Sequence, residues 1–151
     1  MDPNGATAWF LGIDLGTGSC KTVVLDENAR ILGFGASDYF SDSVQSRWRE
    51  QDPEAMVEGM VCSVNAAVAD AGVSGKACAG FSLGAALHGM LAVDGKGSPL
   101  TGVMTWADDR ASAQARDAKE TDAAKALYDE TGCPIHWMYP LYKIQWLRRQ
   151  A

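Results

Sequence analysis

Three short β-prone runs lie close together near the start of the chain. Residues 9–13 are apolar, residues 21–25 are rich in β-branched side chains, and residues 30–36 form a third run. The connections between them are too short for a crossover helix, so we expect an antiparallel three-stranded meander. The uninterrupted apolar character of the first run predicts a strand that is buried on both faces.

The first connection is rich in Gly, Thr and Ser, and it reads Asp-Leu-Gly-Thr-Gly-Ser-Cys-Lys over residues 14–21. Glycines let a backbone approach an anion closely, and successive N–H groups in such a turn form a concave anion site. A β-hairpin in which these glycines only turn the chain is the alternative. The predicted phosphate contacts are Gly16, Thr17, Gly18, Ser19 and Lys21, and Asp14 is the predicted ligand of a hydrated Mg²⁺.

Two other kinds of phosphate loop do not fit this segment. A P-loop requires GxxxxGK[ST] followed by a helix, and that spacing is absent from residues 14–21. A Rossmann turn also continues directly into a helix, whereas residues 21–25 predict a strand. A helix beginning directly after Gly18 would contradict the interpretation and favour a dinucleotide-binding fold.

A helix is predicted after the meander. Asp52 suits the N-cap, Pro53 suits the first helical position, and Gly72 suits the C-terminal stop. One apolar stripe is expected to face the sheet. Its members are Val57, Val61, Val64, Val68 and Ala71.

The remaining chain predicts shorter elements. Residues 77–81 and 90–93 resemble strands, with a turn at residues 94–97. Residues 110–131 predict one solvated helix that ends at Gly132, and residues 141–149 predict a last helix within which the chain stops. We expect Trp9, Trp48 and Trp146 to be packing residues.

Composition excludes several classes of protein. The chain has 151 residues, a formal net charge of −6 and no strongly basic run, which argues against a nucleic-acid partner. No apolar stretch approaches the ~20 residues that span a membrane, and residues 1–5 lack the basic start of a secretory leader. The four cysteines form no CxxC pair, so we expect free thiols and a cytoplasmic location.

Ordered motifs along the chain resemble the FGGY carbohydrate kinases. Residues 13–26 are similar to the first phosphate motif of the actin, hexokinase and sugar-kinase superfamily, and residues 50–53 resemble the entry to its first long helix. Residues 80–89, with 93–94 and 99–100, resemble a strand pair that bears sugar contacts, and residues 106–110 match the WxDxR signature. Residues 131–147 resemble the gluconate-kinase branch.

The resemblance implies an α/β, ribonuclease H-like (actin/hexokinase-type) domain that is incomplete, with residues 1–151 forming the first part of the N-terminal domain. It implies phosphoryl transfer from ATP, with Mg²⁺, to a hydroxyl of a sugar or sugar acid. Gluconate is the leading substrate and xylulose the second. No catalytic residue is expected in this chain, because the family's general base would lie beyond Ala151. The rest of that domain and the C-terminal nucleotide-binding domain are also expected to be absent, so the isolated chain should be inactive. Because apolar surface would be left uncovered, the chain is expected to be marginally stable or to self-associate as a homo-oligomer.

The implied substrate contacts are Leu87, His88, Trp106, Asp108, Arg110 and Met138. Leu87 and His88 replace an Arg-Glu pair of glycerol kinases, and Met138 replaces a tyrosine, which argues against glycerol. Trp106 and Asp108 could face one cleft, with the indole stacking on a sugar and the carboxylate accepting from hydroxyls. An Asp108–Arg110 ion pair that supports the next helix is an equally good interpretation of Arg110, and His136 either lies beside the substrate or fixes its loop.

Two other function classes stay open. A truncated, non-catalytic relative would bind a sugar or a partner without turnover. A nuclease or transposase-type relative would need several clustered carboxylates for two metal ions, and the single Asp14 and the acidic charge disfavour it.

Overall fold

The computed structural model describes residues 8–39, 41–42 and 48–150. The expectation about a secretory leader falls on residues 1–5, which lie outside the described residues. The chain divides into two compact units, Met1–Ser41 with Asp52–Ala86, and Asp42–Gln51 with Leu87–Ala151. In chain order, the elements are β1 (Trp9–Leu15), β2 (Ser19–Asp26), β3 (Ile31–Asp38), β4 (Ser41–Asp42), β5 (Glu50–Gln51), α1 (Pro53–Ala71), a 3-10 turn (Gly75–Ala77), β6 (Cys78–Ala85), β7 (Val103–Met104), α2 (Ser112–Lys119), α3 (Asp122–Thr131) and α4 (Pro140–Gln150).

The first unit is built on a four-stranded sheet in the order β3-β2-β1-β6. Strands β1, β2 and β3 form the predicted antiparallel meander, and β6 pairs in parallel with β1. The strand predicted over residues 77–81 is confirmed and extends to Ala85. Because β2 begins at Ser19, directly after Gly18, the dinucleotide-binding alternative is excluded.

Helix α1 has the predicted ends. The Asp52 side chain accepts from the Glu54 and Ala55 N–H groups, Pro53 is the first helical residue, and Gly72 ends the helix in the left-handed region. The predicted stripe is confirmed at Val64, Val68 and Ala71, which are buried or packed against the core. It was wrong at Val57 and Val61, which are 54% and 49% exposed. The buried residues are Gly59, Ser63, Ala67 and Ala71.

The glycines of β3 explain which face of α1 is buried. A Cβ atom at Gly35 would lie 2.2 Å from the Ser63 carbonyl oxygen, and one at Gly33 would lie 2.4 Å from the Ala71 nitrogen. The helix backbone therefore approaches the sheet too closely for valines between them. The small residues Gly59, Ser63, Ala67 and Ala71, four apart in sequence, fit between helix and sheet. Val57 and Val61 lie outside this contact and are exposed.

Strand β1 is buried on one face only. Trp9 and Ile13 are buried on the side of α1, whereas Phe10 and Asp14 are exposed. The expectation of burial on both faces was wrong, because in the described structure α1 covers one side of this strand and successive side chains point to opposite faces.

The second unit contains little sheet. Strands β5 and β7 pair antiparallel, and β4 completes a small three-stranded sheet. The strand predicted over residues 90–93 is absent, since only isolated bridges join Met90 to Met104 and Val93 to Pro99. The turn at residues 94–97 is confirmed, with the Asp94 carboxylate accepting from the Lys96 and Ser98 N–H groups.

The single helix predicted over residues 110–131 is two helices, α2 and α3. Thr121 between them has an extended backbone (φ −100°, ψ 148°), which ends one helix and begins the next. Helix α2 is also less solvated than expected, because Ala111 and Ala115 are buried in a cluster with Ile135 and Tyr142. The end of α3 at Gly132 and the last helix, α4, are confirmed.

Among the helices of the described residues, none has both the length and the apolar character needed to cross a membrane.

Candidate functional site

The glycine-rich turn between β1 and β2 lies at the end of the sheet in the first unit. The Gly16 N–H donates to the Ser19 carbonyl oxygen at 2.9 Å. The next two residues, Thr17 and Gly18, are exposed, and a Cβ atom at Gly18 would meet no other atom within 4 Å. The turn is therefore tight at its base and open at its tip, a shape that can accept an anion.

Opposite charges flank this turn. Asp14 and Lys21 are direct partners in the antiparallel pairing of β1 and β2, so both side chains leave the sheet on the same face. Both residues are exposed. In parallel strand β6, the neighbour of Asp14 is Gly84, which adds no side chain beside the carboxylate.

Asp14 is the predicted carboxylate ligand for a metal ion at this turn. Within the described part of the chain, no three His, Cys, Asp or Glu residues are grouped to hold a metal ion. A single exposed carboxylate suits Mg²⁺, which keeps several waters and shares its remaining coordination with phosphate oxygens. The donor set thus fits hydrated Mg²⁺ and does not fit a metal enclosed by protein ligands.

Tyr39 anchors the turn from inside the unit. Its hydroxyl lies 2.6 Å from the Gly16 carbonyl oxygen and 3.0 Å from that of Ser19, and the Tyr39 N–H donates to Gly18. Burial raises the pKa of Tyr39 to about 12, with the charges of Cys20 and Asp14 acting in the same direction. The hydroxyl therefore stays a donor at neutral pH. Tyr39 holds the turn through the carbonyl oxygens of Gly16, Gly18 and Ser19.

In the second unit, His88 has an unusual backbone. Its φ is +66°, in the left-handed region that non-glycine residues rarely adopt. Its ring is half-buried and meets the Tyr139 ring edge-on, with 4.8 Å between centroids. The neighbouring Leu87 is 76% exposed. Strain of this kind is frequent at ligand-binding positions, so the geometry keeps His88 as a candidate.

In the loop before α4, the His136 side chain holds the backbone at Met138. The Met138 N–H donates to His136 Nδ1 at 3.2 Å, and the His136 ring stacks on Trp137. Burial lowers the pKa of His136, helped by the positive charges of Lys119 and His88, so the neutral, accepting imidazole is favoured. Of the two interpretations of His136, these contacts support the one in which its side chain fixes the loop.

The WxDxR segment contains one exposed residue, Trp106, and two buried residues, Asp108 and Arg110. Trp106 is 51% exposed, whereas Asp108 is 0% exposed. The Asp108 carboxylate accepts from Arg110 Nε and Nη2 at 2.8 and 2.6 Å, and from the Arg49 N–H at 2.7 Å. The expected Asp108–Arg110 ion pair is thus present. Direct contact of Asp108 with a substrate hydroxyl stays a prediction, and it would require this pair to open.

Arg110 is the centre of a wider cluster. Its Nη2 lies 2.7 Å from a Glu50 carboxylate oxygen, and its guanidinium lies over the rings of Trp48 and Trp146 at 4.2 and 5.1 Å. Burial alone would lower the pKa of Arg110, but hydrogen bonds and charges from Asp108 and Glu50 raise it above its ordinary value. The packing roles expected for Trp48 and Trp146 are confirmed, as is that of buried Trp9.

Nearly the full length of the chain matches one family model. The model of the FGGY family of carbohydrate kinases, N-terminal domain, matches residues 9–151. The chain belongs to this family. It is 33% identical over 144 residues to a gluconokinase of Bacillus subtilis. The aligned region covers 95% of this chain and 28% of that protein.

Solved FGGY structures show the same fold. The gluconate kinase from Lactobacillus acidophilus matches with a TM-score of 0.85 at 28% identity, over 93% of this chain and 28% of that one. The ligand-bound xylulose kinase from the same organism matches with a TM-score of 0.81 at 29% identity, with the same coverage. The resemblance to FGGY kinases and the ribonuclease H-like α/β fold class are thereby confirmed. The chain spans about 28% of the length of these relatives.

Several residues of this FGGY domain were not predicted from the sequence. Tyr39, Tyr139 and Lys143 all contact candidate site segments, yet each is distant in sequence from the segment it contacts. Glu50 was noticed only as part of a helix-entry motif, and its bond to Arg110 was not expected. Local sequence signals exist for Glu50, which directly precedes the Gln51-Asp52-Pro53 start of α1, and for Lys143, which lies in the motif segment of residues 131–147.

The second unit of the FGGY domain also has an apolar groove of about 300 Å³ between α3 and α4. It is lined mainly by Leu127, Pro134, Tyr139, Leu141 and Tyr142. Neither His88 nor Trp106 lines it, but its lining residue Tyr139 also meets the His88 ring.

Proposed function

We propose that this chain is the first part of the N-terminal domain of an ATP-dependent kinase that phosphorylates a hydroxyl of a sugar acid, with gluconate as the favoured substrate. The observation that carries the proposal is the open glycine turn flanked by exposed Asp14 and Lys21. The similarity to two gluconate-phosphorylating relatives supports the substrate. The similar xylulose kinase makes a ketopentose the second candidate.

The phosphate end of ATP is assigned to the first unit. The turn of residues 16–19, through its exposed tip at Thr17 and Gly18, and the Lys21 ammonium would receive the β- and γ-phosphate oxygens, while the Gly16 N–H stays bonded to the Ser19 carbonyl oxygen. Asp14 would hold hydrated Mg²⁺, and the bound ion would supply positive charge that neutralises the phosphates. Because phosphoryl transfer depends mainly on positioning and electrostatics, this segment needs no nucleophile of its own.

The sugar end is assigned to the second unit. The His88 ring bonds substrate hydroxyls, the exposed Trp106 indole stacks on the sugar's C–H face, and Leu87 and Met138 complete the contact. The Asp108–Arg110 pair holds the Trp106 segment in place. No residue of this chain is proposed as the general base that takes the hydroxyl proton. A cytoplasmic location is part of the proposal.

The substrate ranking tests this function. In the intact gene product, we expect a higher kcat/KM for gluconate than for xylulose, and the lowest value for glycerol, because Leu87 and Met138 offer glycerol no polar contact. Coupled measurement of ADP release with the three substrates decides the order. A preference for glycerol would overturn the assignment, and release that no sugar stimulates would favour a non-catalytic relative.

Two substitutions of His88 distinguish the loss of a substrate contact from an effect of backbone strain. His88→Ala should remove about 1–3 kcal/mol of interaction with the substrate. The kcat/KM for gluconate should therefore fall roughly 5- to 150-fold. His88→Asn tolerates the left-handed backbone better than alanine does but lacks the ring, so it should lose a similar factor without losing stability. Wild-type kinetics in the asparagine variant would mean that the ring does not contact substrate.

A further inference from the structure

Lys143 is a buried cation that the proposed function does not use. It lies in the first turns of α4, and its side chain has no exposed surface. Taking an ammonium group out of water is costly unless its donors are satisfied. Leucine or methionine would fill the same space without that cost, so the contacts of the ammonium are its distinguishing feature.

The Lys143 ammonium binds three backbone carbonyl oxygens. Its Nζ lies 2.8 Å from the His88 oxygen, 2.8 Å from the Thr105 oxygen and 3.3 Å from the Met104 oxygen. An ammonium group has three N–H donors, so each carbonyl can take one. The two shorter bonds join segments that are far apart in sequence.

Both of those segments carry candidate sugar contacts. One bound carbonyl belongs to His88 itself, whose left-handed backbone must be held by its surroundings. The other belongs to Thr105, the residue directly before exposed Trp106. The Thr105 N–H and hydroxyl also bond the Arg49 carbonyl oxygen, which ties this strand end to the Asp108–Arg110 cluster.

We propose that Lys143 is a positioning residue for the sugar site: by binding the His88 and Thr105 carbonyl oxygens, it fixes the backbone from which the His88 and Trp106 side chains reach the substrate. The inference rests on the proposed function for the identity of the substrate. The backbone role itself does not depend on it.

Replacing Lys143 tests the role in catalysis. In the intact gene product, Lys143→Met should raise the KM for gluconate about 10- to 100-fold, while the KM for ATP stays within about twofold. Ile144→Met, at the next and exposed position of α4, is the matched control and should behave as wild type. A folded Lys143→Met enzyme with wild-type KM for gluconate, or one that loses only kcat through a smaller active fraction, would overturn the proposal.

A titration of the wild-type chain provides a second test that needs no variant to fold. Burial lowers the pKa of Lys143 to about 8, with the Arg110 charge acting in the same direction and the Asp108 charge opposing it. Glu50 faces the site through its bond to Arg110. Above this pH the neutral amine has only two N–H donors, so one of the three carbonyls loses its partner.

We expect the carbonyl ¹³C resonances of His88 and Thr105 to shift together as the pH rises through about 8 in the 151-residue chain. The carbonyl of Gly97, in the separate turn at residues 94–97, is the reference and should not follow them. Resonances of His88 and Thr105 that stay constant from about pH 6.5 to 10 would refute the contact. If the wild-type protein phosphorylates no sugar, the proposed function fails, whereas this titration still decides whether Lys143 holds the backbone.

Discussion

Replacement of Asp14 by asparagine should lower kcat/KM for ATP in the intact gene product by about 10²–10³-fold, the loss typical of removing one electrostatic contact to a reacting group. Asparagine keeps the shape of the side chain and removes the charge that we propose holds hydrated Mg²⁺. Because Asp14 is exposed, the midpoint of thermal unfolding should hardly change. Initial rates at several Mg²⁺ concentrations measure the effect, since higher Mg²⁺ should restore part of the activity.

Glu58→Gln is the matched control for this variant. It removes one acidic charge from an exposed position of α1 in the same unit, and it should leave the rate unchanged. If both variants lose the same activity, the effect is one of net charge. If neither loses activity, Asp14 is not the Mg²⁺ residue and the glycine turn only reverses the chain.

Replacement of Arg110 by methionine should destabilise the protein by about 3–5 kcal/mol, because it leaves the Asp108 carboxylate buried without its partner charge. Asp108 has no exposed surface and relies on Arg110 for contacts to both carboxylate oxygens. Methionine retains part of the packing between Trp48 and Trp146. Urea unfolding at neutral pH, followed by tryptophan fluorescence, measures the loss.

The double variant Asp108→Leu/Arg110→Met separates an unpaired charge from lost packing. Replacing both members of a buried pair by apolar residues is often close to neutral, so the double variant should be more stable than Arg110→Met alone. A double variant that is less stable than the single one would show that the Asp108 carboxylate contributes through its hydrogen bonds from the backbone N–H groups of Arg49 and residue 110.

Local signals were sufficient for the strands of the meander, for β6 and for the ends of the long helix, but not for the short strands of the second unit. The meander follows from short connections between β-prone runs, and the Asp52 cap and the Gly72 stop depend only on neighbouring residues. The buried face of α1 could not be predicted in this way. It is selected by the close approach of Gly33 and Gly35, which belong to another element.

The same distinction applies to the candidate site. Asp14, the glycine turn and Lys21 are contiguous, so the sequence could predict their common location. Tyr39 and Lys143 reach their partners across 23 and 55 residues. Tyr39 belongs to no recognisable local pattern, and the motif that contains Lys143 does not indicate which carbonyl oxygens its ammonium binds. The burial of Asp108 was equally hidden, because the WxDxR spacing allows either a cleft or an ion pair.

The most direct measurement is ATP turnover with gluconate and Mg²⁺, made in parallel on the purified 151-residue chain and on the intact gene product. If this chain supplies one side of a phosphate clamp and the sugar contacts, the intact product should release ADP in a gluconate-dependent manner. The chain alone should release none above its Asp14→Asn variant. Gluconate-dependent release by the chain alone would contradict the account, because a general base and a second nucleotide clamp would then lie within these residues.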